Sequence, residues 1–123
     1  MAKILIVEDN PDNLKLFRAV LAARGHHVVG LPGGDALLDT MRAETPQLVL
    51  LDISLPGEDG FQLLARLHET LPKDERPPVV ALTAHADSGD QEKARAAGFD
   101  GYLTKPIDVR TFASTVEAFI LPA

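Results

Sequence analysis

Three short runs of this chain, residues 4–7 (ILIV), 48–51 (LVLL) and 79–82 (VVAL), are purely aliphatic. A strand built from such a run is apolar on both faces, so it belongs in a parallel sheet covered by helices above and below. Residues 28–31 and the shorter 102–104 add two further strand-like runs. Helix-like stretches lie between and after them, and five βα repeats predict one open, doubly wound α/β sheet with right-handed crossovers. The aliphatic runs should be its central strands.

The helix candidates carry recognisable ends. Asn10 suits the N-cap of the first, Pro11 its first turn, Gly25 its close, and Leu14, Phe17, Val20 and Leu21 form one apolar stripe. The second spans about 35–43 with Leu37, Leu38 and Met41 inward. The third follows Gly60, carries Phe61, Leu64, Leu67 and Leu71, and stops at Pro72. The fourth, about 88–97, is alanine and charge without a strong apolar stripe, and should be the most loosely packed; Gly98 suits its C-terminal cap. The fifth begins near Asp108, a candidate cap, and repeats Phe112, Val116, Phe119 and Ile120. Residues 72–78 read as a solvated loop.

Composition removes whole classes of function. The chain has no cysteine, which excludes a disulfide framework, thiolate zinc or iron–sulfur sites and a cysteine nucleophile. Twelve basic against 18 acidic residues give a net charge of −6 with no Lys/Arg run, so nothing points to nucleic acid. No apolar run approaches the roughly 20 residues of a bilayer span. The expectation is one cytoplasmic domain over 1–123 with no output domain, and no membrane or nucleic-acid partner.

In an open parallel sheet the ligand site lies beyond the carboxyl ends of the strands. There the sequence places Glu8 and Asp9 after the first strand, Asp52 at the end of the third, Thr83 at the end of the fourth, and Lys105-Pro106 after the fifth. Carboxylates about 4 Å apart repel by roughly 1 to 4 kcal/mol per pair at effective dielectrics between water and 20, so the cluster should hold protons or attract a cation. Mg²⁺ takes such oxygen ligands, which suits Asp9 and Asp52 directly and Glu8 through water. A hydroxyl and an ammonium beside them favour a phosphoryl dianion, and together the set suggests phosphoryl transfer onto Asp52. Each piece alone also has a plain structural reading: helix capping for Glu8-Asp9, a turn for Asp52, a strand end for Thr83, a surface lysine for Lys105.

Five motifs in order, Ile-Val-Glu8-Asp9-Asn10, Leu-Leu-Asp52, Leu55-Pro56-Gly57-Glu-Asp-Gly60, Leu-Thr83-Ala84 and Tyr102-Leu-Thr-Lys105-Pro106, give a sequence that resembles, over its whole length, the CheY-like receiver domains of two-component response regulators. The resemblance implies the flavodoxin-like strand order 2-1-3-4-5. It also implies that Asp52 is the phosphoacceptor, and that Asp9, Asp52 and the Ser54 carbonyl bind Mg²⁺, with Glu8 acting through water. Lys105 would pair with the phosphoryl group, Thr83 and Tyr102 would be the switch pair, and Ala84 would leave the group accessible. Ser54 and His85 stand where the family tunes dephosphorylation, and Lys105-Pro106 is expected to be cis. Such a chain is no enzyme beyond its own phosphorylation and dephosphorylation. Its partners would be a histidine kinase or histidine phosphotransfer protein, meeting Asn13, Leu14, Phe17, Arg18 and Ile107, and a target on the face of the fourth helix, fifth strand and fifth helix.

Other readings share the architecture. A flavin carrier would need a Gly-, Ser- or Thr-rich loop where Glu8-Asp9-Asn10-Pro11 stands, and a Mg²⁺-dependent phosphatase would need a substrate cap that these short connections do not provide. A phosphorylation-independent interaction module, or the receiver segment of a hybrid histidine kinase, remains open.

Overall fold

The computed structural model describes residues 2–53, 60–83, 88–105 and 107–120, with the backbone alone at 88–90. In chain order the elements are β1 (Lys3–Val7), α1 (Pro11–Ala22), β2 (His27–Leu31), α2 (Leu37–Glu44), β3 (Leu48–Asp52), α3 (Gly60–Thr70), β4 (Val79–Thr83), α4 (Ser88–Ala97), β5 (Gly101–Thr104) and α5 (Phe112–Glu117). All strand pairs are parallel, in the order β2-β1-β3-β4-β5. This is the predicted doubly wound sheet, and the three aliphatic runs occupy its centre.

Alternate side chains of each strand serve opposite layers. Ile4, Ile6, Leu48, Leu50, Val80 and Leu82 pack with Phe17 and Leu21 of α1 and Phe112, Ala113 and Val116 of α5. Leu5, Val7, Val49, Leu51, Val79 and Ala81 pack with Leu37 and Met41 of α2, Leu63, Leu64 and Leu67 of α3, and Ala94 of α4. Burial on this scale stabilises by about 1.5–3 kcal/mol for each large aliphatic side chain. Asn10 caps α1 as its sequence position suggests, its Oδ1 accepting the N–H groups of Asp12 at 2.9 Å and Asn13 at 3.1 Å.

Several expectations need correction. Helix α2 begins two residues late, at Leu37, because no side chain caps it, and it ends on Thr45 in the left-handed conformation at φ 43°. In α3 the buried positions include Leu63, while Leu71 lies past the helix end. Asp108 caps the turn that leads into α5, its Oδ1 accepting the Arg110 N–H at 3.0 Å and its carbonyl receiving the Thr111 and Phe112 N–H groups, but regular helix starts later than expected, at Phe112. Residues 72–78 are not wholly a solvated loop. They contain a short 3₁₀ turn, Lys73–Glu75, and Arg76 folds back to donate to the carbonyls of Leu71 at 2.7 Å and His68 at 2.8 Å, covering the open C-terminal end of α3.

Candidate functional site

Parallel register carries the strand ends to one edge of the sheet: Val7 lies beside Leu51, Asp52 beside Leu82 and Thr83 beside Thr104. Glu8 and Asp9 leave β1 just above this edge, where the Glu8 N–H still donates to the carbonyl of Leu31 at 2.9 Å. Carboxylate oxygens of Glu8, Asp9 and Asp52 all lie within 4.8 Å of one another. Glu8 and Asp52 are 1% exposed, and Thr83 is fully buried, whereas Asp9 faces solvent.

Lys105 completes the cluster. Its Nζ donates to Glu8 Oε1 at 3.0 Å and to Asp52 Oδ2 at 2.9 Å, and its backbone N–H donates to the Thr83 carbonyl at 2.7 Å, which fixes the root of the side chain beside β4. Burial pushes the Glu8 carboxyl above its ordinary range; hydrogen bonds from Lys105 and the Asn10 N–H oppose this, and the neighbouring Asp52 reinforces it. Burial works against the Lys105 ammonium as well, but the bonds to Asp52 and Glu8 outweigh it and hold this lysine above the usual lysine value. The ammonium is therefore a fixed positive point between two buried carboxylates.

One ammonium cannot neutralise three carboxylates. The donor set is entirely hard oxygen, with two buried members and one exposed member that leaves an approach from solvent. That chemistry fits Mg²⁺, which binds one or two carboxylates and keeps much of its water. Glu8, Asp9 and Asp52 are the residues here that would hold it.

The remaining predicted site residues divide. Tyr102 is half-buried against the α2–α3–α4 layer, and it lines a groove of about 310 Å³ with Gln91, Ile107, Thr111, Phe112 and Thr115 between α4, β5 and α5. Ser54, Ala84, His85 and Pro106 lie outside the described residues, and with them the Lys105–Pro106 peptide bond. Phe17 is 1% exposed and stacked on Phe112, so it is core and no partner contact. Leu14 and Ile107 are half-buried against the same layer, and Asn13 is half-buried; Arg18 is exposed with its guanidinium lying across Gly30. Sequence reading missed the bond from the Asn10 N–H to Glu8 Oε2, at 3.1 Å, because a backbone donor leaves no residue-type signal.

A doubly wound parallel sheet with an acidic triad and a lysine at its carboxyl edge defines a class, and comparison with known proteins gives the same result. The model of the response regulator receiver domain matches residues 4–117. This chain belongs to that family, whose members are phosphoacceptor signalling domains of two-component systems. It is 38% identical over 119 residues to the polar-differentiation response regulator DivK of Brucella anthropi, covering 95% of this chain and 94% of that one. An uncharacterized 14.6 kDa protein of Leptolyngbya boryana is 39% identical over 118 residues, covering 96% and 89%. Among solved structures, the BeF3-activated N-terminal receiver domain of Klebsiella pneumoniae RstA superposes with a TM-score of 0.85 at 31% identity, covering 95% and 97%. Among the described residues no helix is long and apolar enough to cross a membrane.

Proposed function

We propose that this chain is a response-regulator receiver that takes a phosphoryl group from a phosphohistidine onto Asp52, and then signals through a change of its surface or passes the group on. The observation that carries the reading is the Lys105 ammonium held at 2.9 Å from Asp52 Oδ2 and 3.0 Å from Glu8 Oε1, at the end of β3 where an incoming phosphate would arrive. A carboxylate oxygen of Asp52 forms the bond to phosphorus as the bond from phosphorus to the donor imidazole breaks, and the leaving imidazole takes up a proton. Lys105 exchanges part of its contact with Asp52 for a phosphoryl oxygen, so charge that develops in transfer meets a cation already in place. Mg²⁺, when bound by Glu8, Asp9 and Asp52, supplies the charge shielding that lets a dianion approach a carboxylate.

Thr83, buried at the neighbouring strand end, is the hydroxyl that would turn toward the aspartyl phosphate, with Tyr102 following in the groove between α4, β5 and α5. Phosphorylation can only weight surfaces the protein already samples. The donor would be a histidine kinase or histidine phosphotransfer protein, with exposed Arg18 on α1 a better contact than buried Phe17. The test is phosphoryl incorporation from acetyl phosphate in Mg²⁺. The parent chain should be labelled, while D52N should lose incorporation and EDTA should abolish it. Undiminished labelling of D52N would place the acceptor elsewhere. A parent that neither takes label nor responds to Mg²⁺ would be an interaction module that works without phosphorylation.

A further inference from the structure

Both oxygens of Glu8 are engaged: Oε1 accepts from Lys105, and Oε2 accepts the backbone N–H of Asn10 at 3.1 Å. Asn10 is also the N-cap of α1. Its backbone is extended at φ −86° and ψ 113°, its Oδ1 accepts the N–H groups of Asp12 and Asn13, and its carbonyl receives Leu14 N–H at 3.0 Å. One residue thus clamps the first turn of a core-packed helix with its side chain and aims its own N–H at a buried carboxylate of the site. Asp9 is joined to Asn10 directly, so its direction is set by the same backbone conformation.

We infer that Asn10 is a positioning residue for the acidic site: its side-chain cap on α1 holds the 8–10 backbone in the conformation that presents Glu8 and Asp9 to a divalent cation. The inference rests on the proposed function and adds a residue that touches neither cation nor phosphate. Without the cap, helix α1 still packs through Phe17 and Leu21, but its first turn frays and the Asn10 N–H loses its fixed direction. Outer groups that orient ligands typically change metal affinity by about 10–100-fold when removed. The lower end applies here, because Lys105 still holds the other oxygen of Glu8.

The experiment compares three variants of the whole chain by Mg²⁺ titration, followed through the backbone amide shifts of residues 7–10, together with urea unfolding. N10A should lower Mg²⁺ affinity about tenfold. N10S, which keeps a capping oxygen, should return to within about threefold of the parent. The control is G25A, which strains the φ +89° position just past the other end of α1; it should lower stability comparably and leave Mg²⁺ affinity unchanged. If N10A destabilises but binds Mg²⁺ as tightly as G25A, Asn10 is only a helix cap and the inference falls while the proposed function stands. If the parent itself binds no Mg²⁺, both fall together.

Discussion

Helices α1 and α4 cover opposite faces of one sheet and are held in different ways. Helix α1 buries Phe17 and Leu21, and Phe17 stacks on Phe112 of α5 with ring centroids 5.2 Å apart. Its entry is capped by Asn10, and a polar staple follows its exit. Arg24 Nη2 donates to Glu117 Oε1 at 2.6 Å, and the Ala2 N–H donates to His26 Nδ1 at 3.1 Å. Because Nδ1 accepts, the neutral ring carries its proton on Nε2 and donates it to Glu117 at 2.7 Å. In α4, by contrast, Ala94 is the one buried side chain among those described. Local stability follows buried apolar contact, so α1 should open only with the whole domain and α4 well before it. The contrast sets a core-anchored helix, joined to the acidic site through Asn10, against one thinly packed helix beside the Tyr102 groove.

The largest effect that could break this contrast is Phe17→Ala, expected to cost about 3–5 kcal/mol in urea unfolding. A loss no greater than that of an α4 substitution would mean that α1 is not the anchored helix. His26→Ala should come next. It leaves the Ala2 N–H without its acceptor, at about 1–3 kcal/mol, and separates α5 from the start of β1. Ala94→Gly should cost about 1 kcal/mol. Its clearer signature is amide exchange that quickens in α4 while α1 stays protected. Exchange that quickens equally in both helices would show one cooperative unit.

The smallest effect concerns pH. The His68 ring on α3 packs under Gly98, where an added Cβ would lie 2.8 Å from its Cε1, and Gly98 ends α4 at φ +105°. Burial, and then the Arg76 guanidinium, hold this ring below its ordinary value of 6.5, with Asp100 opposing them. The native state therefore takes up a proton less readily than the unfolded chain. The stability tied to this ring is present above that ordinary value and is lost as pH falls through it toward the native one. Stability should thus decline as pH falls below the ordinary histidine value of 6.5, and His68→Gln should flatten that decline. An unchanged slope in the variant would remove His68 as its source.

Much of the fold was legible because its signals are local. The aliphatic runs marked the central strands, Asn10-Pro11 the start of α1, and the alanine-rich stretch both the bounds and the thin packing of α4. Helix α2 starts at Leu37 rather than near 35 because no side chain caps it. Helix α5 starts at Phe112 rather than just after Asp108 because the residues that Asp108 caps form a turn before the regular helix. Arg76 sits in a stretch whose composition suggests solvent, because its partners are carbonyls 5 and 8 residues back, which have no residue-type signature.

The layers and the membership of the acidic cluster follow from residue order, since strand period and helix period are set residue by residue and the topology of a parallel sheet brings strand ends to one edge. How those groups meet is set by the folded sheet. That Lys105 spans Glu8 and Asp52 and that Asn10 holds Glu8 from behind depend on contacts between segments far apart in the chain or on backbone atoms common to every residue. Charge and hydrophobicity say which groups collect at an edge, but hydrogen-bond direction and burial, which exist only once the sheet has formed, say what each of them holds.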